Sequence, residues 1–213
     1  MKEKISLIYK IIIVIVTAIG LYLNFKFLSF RNGILYFTNI SNVICLIYFL
    51  VLVIKILLKK EDKSDKHYII KGTVTMAITL TFYMFNFGLR NDPTTDIFIG
   101  HDIECYFVHV LVPILVMFDY ILFGEKGHLK KSYPFIWSSV LLLYQIFVIL
   151  YVNFGGRFIN NLSYPYSYMD VGTNGVFNVG LNMIGIFVAF ILYGLVVQIV
   201  DNYVAKKNIL IQK

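Results

Sequence analysis

Six apolar runs, each about 20 residues long and separated by short polar stretches, constrain this chain more than any other feature. A helix of that length is about 30 Å long, enough to cross the hydrocarbon core of a bilayer. The runs cover about residues 11–30, 36–58, 68–89, 103–123, 133–152 and 176–200. Each is apolar on all sides, as buried core helices and membrane spans are. In a soluble domain of 213 residues, six such helices would leave almost no solvated face. A β-barrel is excluded by the runs themselves, because barrel strands alternate apolar and polar residues. Only 15% of the residues are charged, against about 25% in ordinary soluble domains. The mean hydropathy is +0.76. The expected fold class is all-α: one polytopic six-helix transmembrane bundle over residues 1–213, without a tandem repeat. The first run has no small-residue cleavage site and is expected to stay as a span.

Charge then sets the expected orientation. Lys and Arg mark the cytoplasmic side of membrane proteins. With six spans and a cytoplasmic N-terminus, 15 of the 19 basic residues fall inside, and only Lys26, Arg31, Arg90 and Arg157 fall outside. The expectation is N-in and C-in, a multi-pass protein of the cell membrane. The formal charge of +7 is a topology signal of this kind and not a nucleic-acid footprint. These lysines can also meet anionic lipid heads, so membrane lipid is the expected partner. Cys45 and Cys105 lie in or beside spans and read as small buried hydrophobes rather than a disulfide.

Polar residues inside spans are costly and face the bundle interior. In span two, Thr38, Ser41, Asn42 and Cys45 follow the i, i+3, i+4, i+7 spacing of one helix face. Span three carries Thr75, Thr79, Tyr83, Asn86 and Arg90. Span four begins with Cys105, Tyr106 and His109, and span six with Asn174, Asn178 and Asn182. All these stripes lie toward the outer side, which predicts a polar cavity there. The longer outer loops, 91–102 and 153–175, are placed to cap it. The inner halves are apolar. Asp119 is the main exception, and its neighbours in sequence, Lys126, Lys130 and Lys131, are its expected partners.

His109 is the one histidine well inside a span. Imidazole is the usual base near neutral pH, and a hydroxyl or thiol nucleophile needs one nearby. Thr38 sits at a matching depth on span two. Ser41 and Cys105 are rival nucleophiles by position. Asn39, Asn42 and Asn86 are candidate donors to a developing oxyanion. His101, Asp102, Glu104 and His109 offer metal-ligand atoms, but their spacing matches no zinc signature, and no metal is expected. Phosphate-binding, dinucleotide and nucleophile-elbow motifs are absent from the sequence, so no cofactor is expected.

Three segments carry a resemblance. Tyr36-Phe37-Thr38-Asn39-Ile40-Ser41-Asn42 resembles the "FT-x-x-SN" start of span two in the FAR-17a/AIG1-like membrane proteins, including their bacterial Pr6Pr-type members. His109-Val110-Leu111-Val112-Pro113, followed by Asp119-Tyr120, resembles that family's "H-x-x-x-P…D-W/Y" helix. Tyr164-Pro165-Tyr166-Ser167-Tyr168-Met169-Asp170-Val171 resembles its "YPYPFLD" outer loop. The order runs from about residue 11 to 200. Ser167 stands where a second Pro is usual, and Tyr120 where Trp is common. The better-known animal members cleave fatty-acid esters of hydroxy fatty acids with an intramembrane Thr and a His. The resemblance therefore implies Thr38 as nucleophile and His109 as base, with an acyl ester as substrate. Asn39, Ser41, Asn42, Asn86, Arg90, Tyr164, Tyr166 and Asp170 are then expected around the cavity. Two other functions fit the same stripes: a small-solute transporter or channel stationed at Asp119, His109 and Arg90, and a non-catalytic lipid-binding membrane protein.

Overall fold

The computed structural model describes residues 2–60, 62–89, 92 and 102–211, and among them every regular element is helical. Six helices are long and apolar enough to cross a membrane. They are α1 (Lys2–Leu28), α2 (Phe37–Leu57), α3 (Asp65–Leu89), α4 (Asp102–Phe123), α5 (Tyr133–Asn153) and α6 (Val171–Ile211). The predicted six-helix bundle is the observed architecture.

Local chemistry sets the helix ends. Ser64 caps α3, its hydroxyl accepting from the His67 N–H. Pro134 sits in the first turn of α5, where its missing N–H leaves no helix bond unmade. Asp170 starts α6, its carboxylate accepting from the Gly172 N–H at 2.9 Å and the Thr173 hydroxyl at 2.7 Å. Gly175, at φ +74°, separates that first turn from the rest of α6, a backbone angle that glycine adopts without a steric penalty. The uninterrupted part of α6 therefore begins at Val176, where its apolar run starts. α1 and α6 extend beyond their apolar runs, carrying Lys2 and Lys4 at one end and Lys206 and Lys207 at the other.

α3 is the central helix and packs against α2, α4 and α5. α1 packs against α2 and α4, and α6 leans on α5. Half of the most apolar stretch of α3 is buried, against 17% of that of α6. The most enclosed helix is also the least apolar of the six, because a membrane bundle turns apolar side chains to lipid and gathers polar ones inside. Thr79 and Thr81 of α3 are buried accordingly, while Phe177, Leu181, Ile184 and Leu192 of α6 are exposed.

The structure corrects the expectation for Asp119. Its Oδ1 accepts from Lys10 Nζ of α1 at 2.7 Å, with both side chains buried. Lys126 instead lies 3.6 Å from Asp201, and Lys130 pairs with Asp65. Asp119 lies on the face of α4 that packs against α1, so nearness in sequence to the lysines of the following loop does not decide its partner. Cys45 and Cys105 are buried free thiols.

Candidate active site between α2, α3 and α4

Thr38 is the second residue of α2, and its Oγ1 lies 3.2 Å from His109 Nε2 of α4. The other ring nitrogen, Nδ1, lies 3.0 Å from the Cys105 carbonyl. A carbonyl can only accept, so in the neutral ring Nδ1 carries the proton and Nε2 is left as an acceptor. The Thr38 hydroxyl then donates to Nε2. Phe85 of α3 stacks on the imidazole at 3.8 Å and 21°, fixing the plane of the ring.

Why His109 projects here follows from Pro113. The N–H of residue 113 would serve the carbonyl of residue 109 in a regular α-helix, and proline has none. Residues Phe107–Leu111 form a π-helical turn instead, and the Val112 N–H reaches back to the Phe107 carbonyl. The carbonyls of Val108 and His109 thereby lose regular helix donors. Two side-chain amides replace them: Asn42 Nδ2 donates to Val108 O at 3.0 Å, and Asn86 Nδ2 donates to His109 O at 3.4 Å. Asn86 itself lies in a second π-helical turn, Met84–Leu89, at the end of α3. Such turns recur at functional sites because they re-aim side chains without breaking the helix.

The remaining N–H groups of these amides are also engaged. Asn42 Nδ2 donates to Thr38 O at 2.8 Å, and Asn86 Nδ2 to Phe82 O at 2.8 Å. Asn39 Nδ2 donates to Asn24 Oδ1 at 2.8 Å and to Gly33 O at 3.0 Å. Asn42, Asn86 and Asn39 thus hold backbone and neighbouring side chains in place, and their amide protons do not point at the Thr38 hydroxyl. Better placed are the backbone N–H groups at the start of α2. Asn39 and Ile40 close onto the Tyr36 carbonyl at 3.1 Å each, which leaves the Thr38 amide at the positive end of the helix, while the Phe37 backbone meets the Tyr166 hydroxyl.

Thr38 and His109 line one cavity together with Asn24, Asn39, Phe85 and Tyr166. Its volume is about 50 Å³, room for the polar centre of a substrate but not for a long chain. Ser41 does not line it. Its hydroxyl donates to Thr38 O at 2.8 Å and lies 2.8 Å from the Thr81 hydroxyl. Cys105 is buried away from it and takes part through its carbonyl.

The outer loop covers the cavity. Tyr166 faces the hydroxyls of Tyr144 and Thr38, and its burial pushes the phenol up to about 12. Its ring stacks on Tyr168, 5.6 Å away and nearly parallel. Ser167 donates to Asp92 Oδ2 through its hydroxyl and, at 3.3 Å, through its N–H, tying this loop to the end of α3. Tyr164 packs on the apolar core beside the cavity, and Asp170 serves as the start of α6. Arg90 and His101 lie outside the described residues. The sequence reading missed Tyr168, Tyr144, Phe85 and Asp92. The aromatic richness of the loop is visible in the sequence, but the pairing of Asp92 with Ser167 has no local signal.

No family model, curated protein or solved structure matches the chain.

Proposed function

We propose that the protein is an intramembrane hydrolase of lipid or fatty-acyl esters, with Thr38 as nucleophile and His109 as base. The observation that carries the proposal is the contact of 3.2 Å between Thr38 Oγ1 and His109 Nε2, in a cavity whose second imidazole nitrogen is fixed on a carbonyl. The resemblance of the Thr38, His109 and Tyr164–Asp170 segments to the FAR-17a/AIG1-like family supports the same assignment.

In this mechanism, Thr38 Oγ1 adds to the ester carbonyl carbon while its proton passes to His109 Nε2. The oxygen of the former carbonyl becomes an oxyanion, to which the Thr38 N–H and the Tyr166 hydroxyl, which faces Thr38, can donate. The tetrahedral intermediate breaks its bond to the alcohol oxygen, which takes the proton back from His109. Water, deprotonated by the same nitrogen, then cleaves the acyl-threonine and releases the carboxylic acid. The small cavity admits the ester group, and the chains extend along the lipid-facing surface. The lysine excess supports an orientation with the Thr38 end of the bundle outside and both termini in the cytoplasm.

A transport route through Asp119 is disfavoured, because Lys10 neutralises its carboxylate among Ile13, Phe49, Val112 and Val116. The test is hydrolysis of a fluorogenic acyl ester by purified protein, with fluorophosphonate labelling of the same samples. T38A should lose both turnover and label. H109A should lower turnover by roughly 10²–10⁴-fold, the usual scale of a positioned base. Unchanged turnover in both variants would overturn the proposal.

A further inference from the structure

A second cavity, of about 230 Å³, adjoins the Thr38 cavity between the end of α3 and α6. The two share the lining residues Met84, Leu89, Tyr168 and Ile186, which form the boundary between them. Local sequence and packing together leave this space. The π-helical turn Met84–Leu89 puts Gly88 on the cavity wall, where no side chain fills it. α6 meanwhile leans on α5. Gly88 and Asn182 are exposed, so the cavity is an antechamber open to the surroundings of the bundle.

Its chemistry differs from that of the cavity it adjoins. The Thr38 cavity has many apolar and aromatic walls, Leu80, Phe85 and Leu141 among them. The antechamber adds Asp92, Ser167 and Asn182. The donors of this trio are largely spent. Ser167 gives both its hydroxyl and its N–H to Asp92 Oδ2, and Asn182 Nδ2 gives one proton to the Tyr168 carbonyl at 3.4 Å. What the trio keeps is mainly accepting: the lone pairs of Ser167 Oγ and the Asn182 amide oxygen, with the second Asn182 N–H beside them. A hydroxyl fits such a set, because it donates and accepts at once. A carboxylate would set its oxygens against those of Asp92, Ser167 and Asn182. A plain alkyl group would strip water from them and return no hydrogen bond.

We propose, on the reading of Thr38 and His109 as an ester hydrolase, that the antechamber binds the alcohol half of the substrate, and that this half is a neutral polyol, as in a monoacylglycerol. The ester carbonyl sits at Thr38, and the glyceryl hydroxyls lie past Met84 and Tyr168, against Ser167 and Asn182. The spacing suits so short a unit. Tyr166, which faces the Thr38 hydroxyl, stacks on Tyr168 with 5.6 Å between ring centroids, so the two cavities lie about one ring apart. A volume of 230 Å³ holds a glyceryl group easily, where about 10–15 Å³ suffices for one water. Ser167 and Asn182 are then specificity-determining residues, acting on the alcohol and not on the reacting carbonyl.

The test compares three oleoyl esters as substrates of the purified protein: monooleoylglycerol, ethyl oleate and the oleoyl ester of hydroxystearic acid. Monooleoylglycerol should have a kcat/KM roughly tenfold above that of ethyl oleate, the worth of two hydrogen bonds at a partly open site. The carboxylate-bearing ester should rank below monooleoylglycerol. N182L should lower the ratio of glyceryl to ethyl ester turnover. G88L should do the same by filling the antechamber, and a Cβ there meets only the Met84 side chain, at 3.8 Å or more. The second variant keeps the test decisive if N182L loosens the loop at Tyr168. Equal kcat/KM for the glyceryl and ethyl esters, preference for the carboxylate-bearing ester, or a ratio unmoved in both variants would overturn the inference alone. Turnover of none of the three esters would overturn the hydrolase reading and this inference with it.

Discussion

At the scale of single residues, the site is a problem of unsatisfied carbonyls before it is one of catalysis. Pro113 removes a donor, and the π-helical turn that follows turns His109 toward Thr38. Asn42 is what makes this arrangement tolerable, since one amide bridges Val108 O and Thr38 O and so joins α4 to α2 at the site. N42A is expected to leave the Val108 carbonyl buried without its donor, at about 1–3 kcal/mol of stability. It should also lower turnover of the acyl ester more than it weakens binding, because the Thr38–His109 distance depends on it. Thermal melts and a comparison of kcat with KM check both effects, and an unchanged kcat would remove Asn42 from the positioning role. The stripe of Thr38, Ser41 and Asn42 is legible in the sequence, and so is the shared depth of Thr38 and His109. The division of labour is not. Whether an amide in a polar stripe faces a substrate or a bare carbonyl depends on the register of two helices far apart in sequence, which no local pattern encodes.

At the scale of elements, two contacts fix where the central helix stands. Gly72 of α3 accepts the Trp137 ring of α5 so closely that a Cβ would sit 2.3 Å from Cε2. G72A should therefore force the ring aside and cost about 1–3 kcal/mol, as overpacking does. Melting temperatures of G72A and of the relieved pair G72A/W137F would check it, the second recovering much of the loss. The other contact joins the start of α3 to the loop after α4. The Tyr68 hydroxyl donates to Glu125 Oε2 at 2.6 Å and, with Lys63 at 3.1 Å, holds the carboxyl below its ordinary value. Such a group stabilises the fold above its unfolded pKa, and the contribution is lost as pH falls through the lowered folded value. Melting temperature should accordingly fall between pH 6 and pH 3 by more in the native protein than in E125Q. An equal fall would show that this contact does not contribute. The six helices themselves are read from apolar runs because lipid demands length and apolarity from every span. Gly72 and Glu125 are invisible to that pattern, since their effect comes from what arrives opposite them.

At the scale of the whole molecule, the bundle has two polar layers and not the single outer one that the stripes predict. Near the Thr38 end, neutral hydroxyls, amides and an imidazole converge. On the lysine-rich side, Lys10 and Asp119 form a buried pair that links the first span to the fourth, with Lys10 also donating to Ser6 Oγ at 2.7 Å. This pair is hidden from sequence reading because Lys10 precedes the first apolar run and reads as a terminal charge. Its position in the architecture gives it a specific role. Among the described residues, α1 meets the bundle chiefly through α2 and α4, and the pair fixes its rotation against α4. That rotation also places Gly20 of α1 against Phe107, the first residue of the π-helical turn that carries His109. Removing one partner, as in K10M or D119N, leaves a charge buried alone and should cost about 3–5 kcal/mol. Removing both, as in K10M/D119L, should restore most of that stability, since an apolar pair of similar size packs in the same place. If α1 is oriented by the pair rather than by apolar packing alone, the double variant will be stable yet slower in acyl-ester hydrolysis. Unfolding in detergent micelles and turnover, measured on all three variants, separate the two contributions. Full turnover in the stable double variant would show that the fit of Gly20 to Phe107 suffices to orient α1.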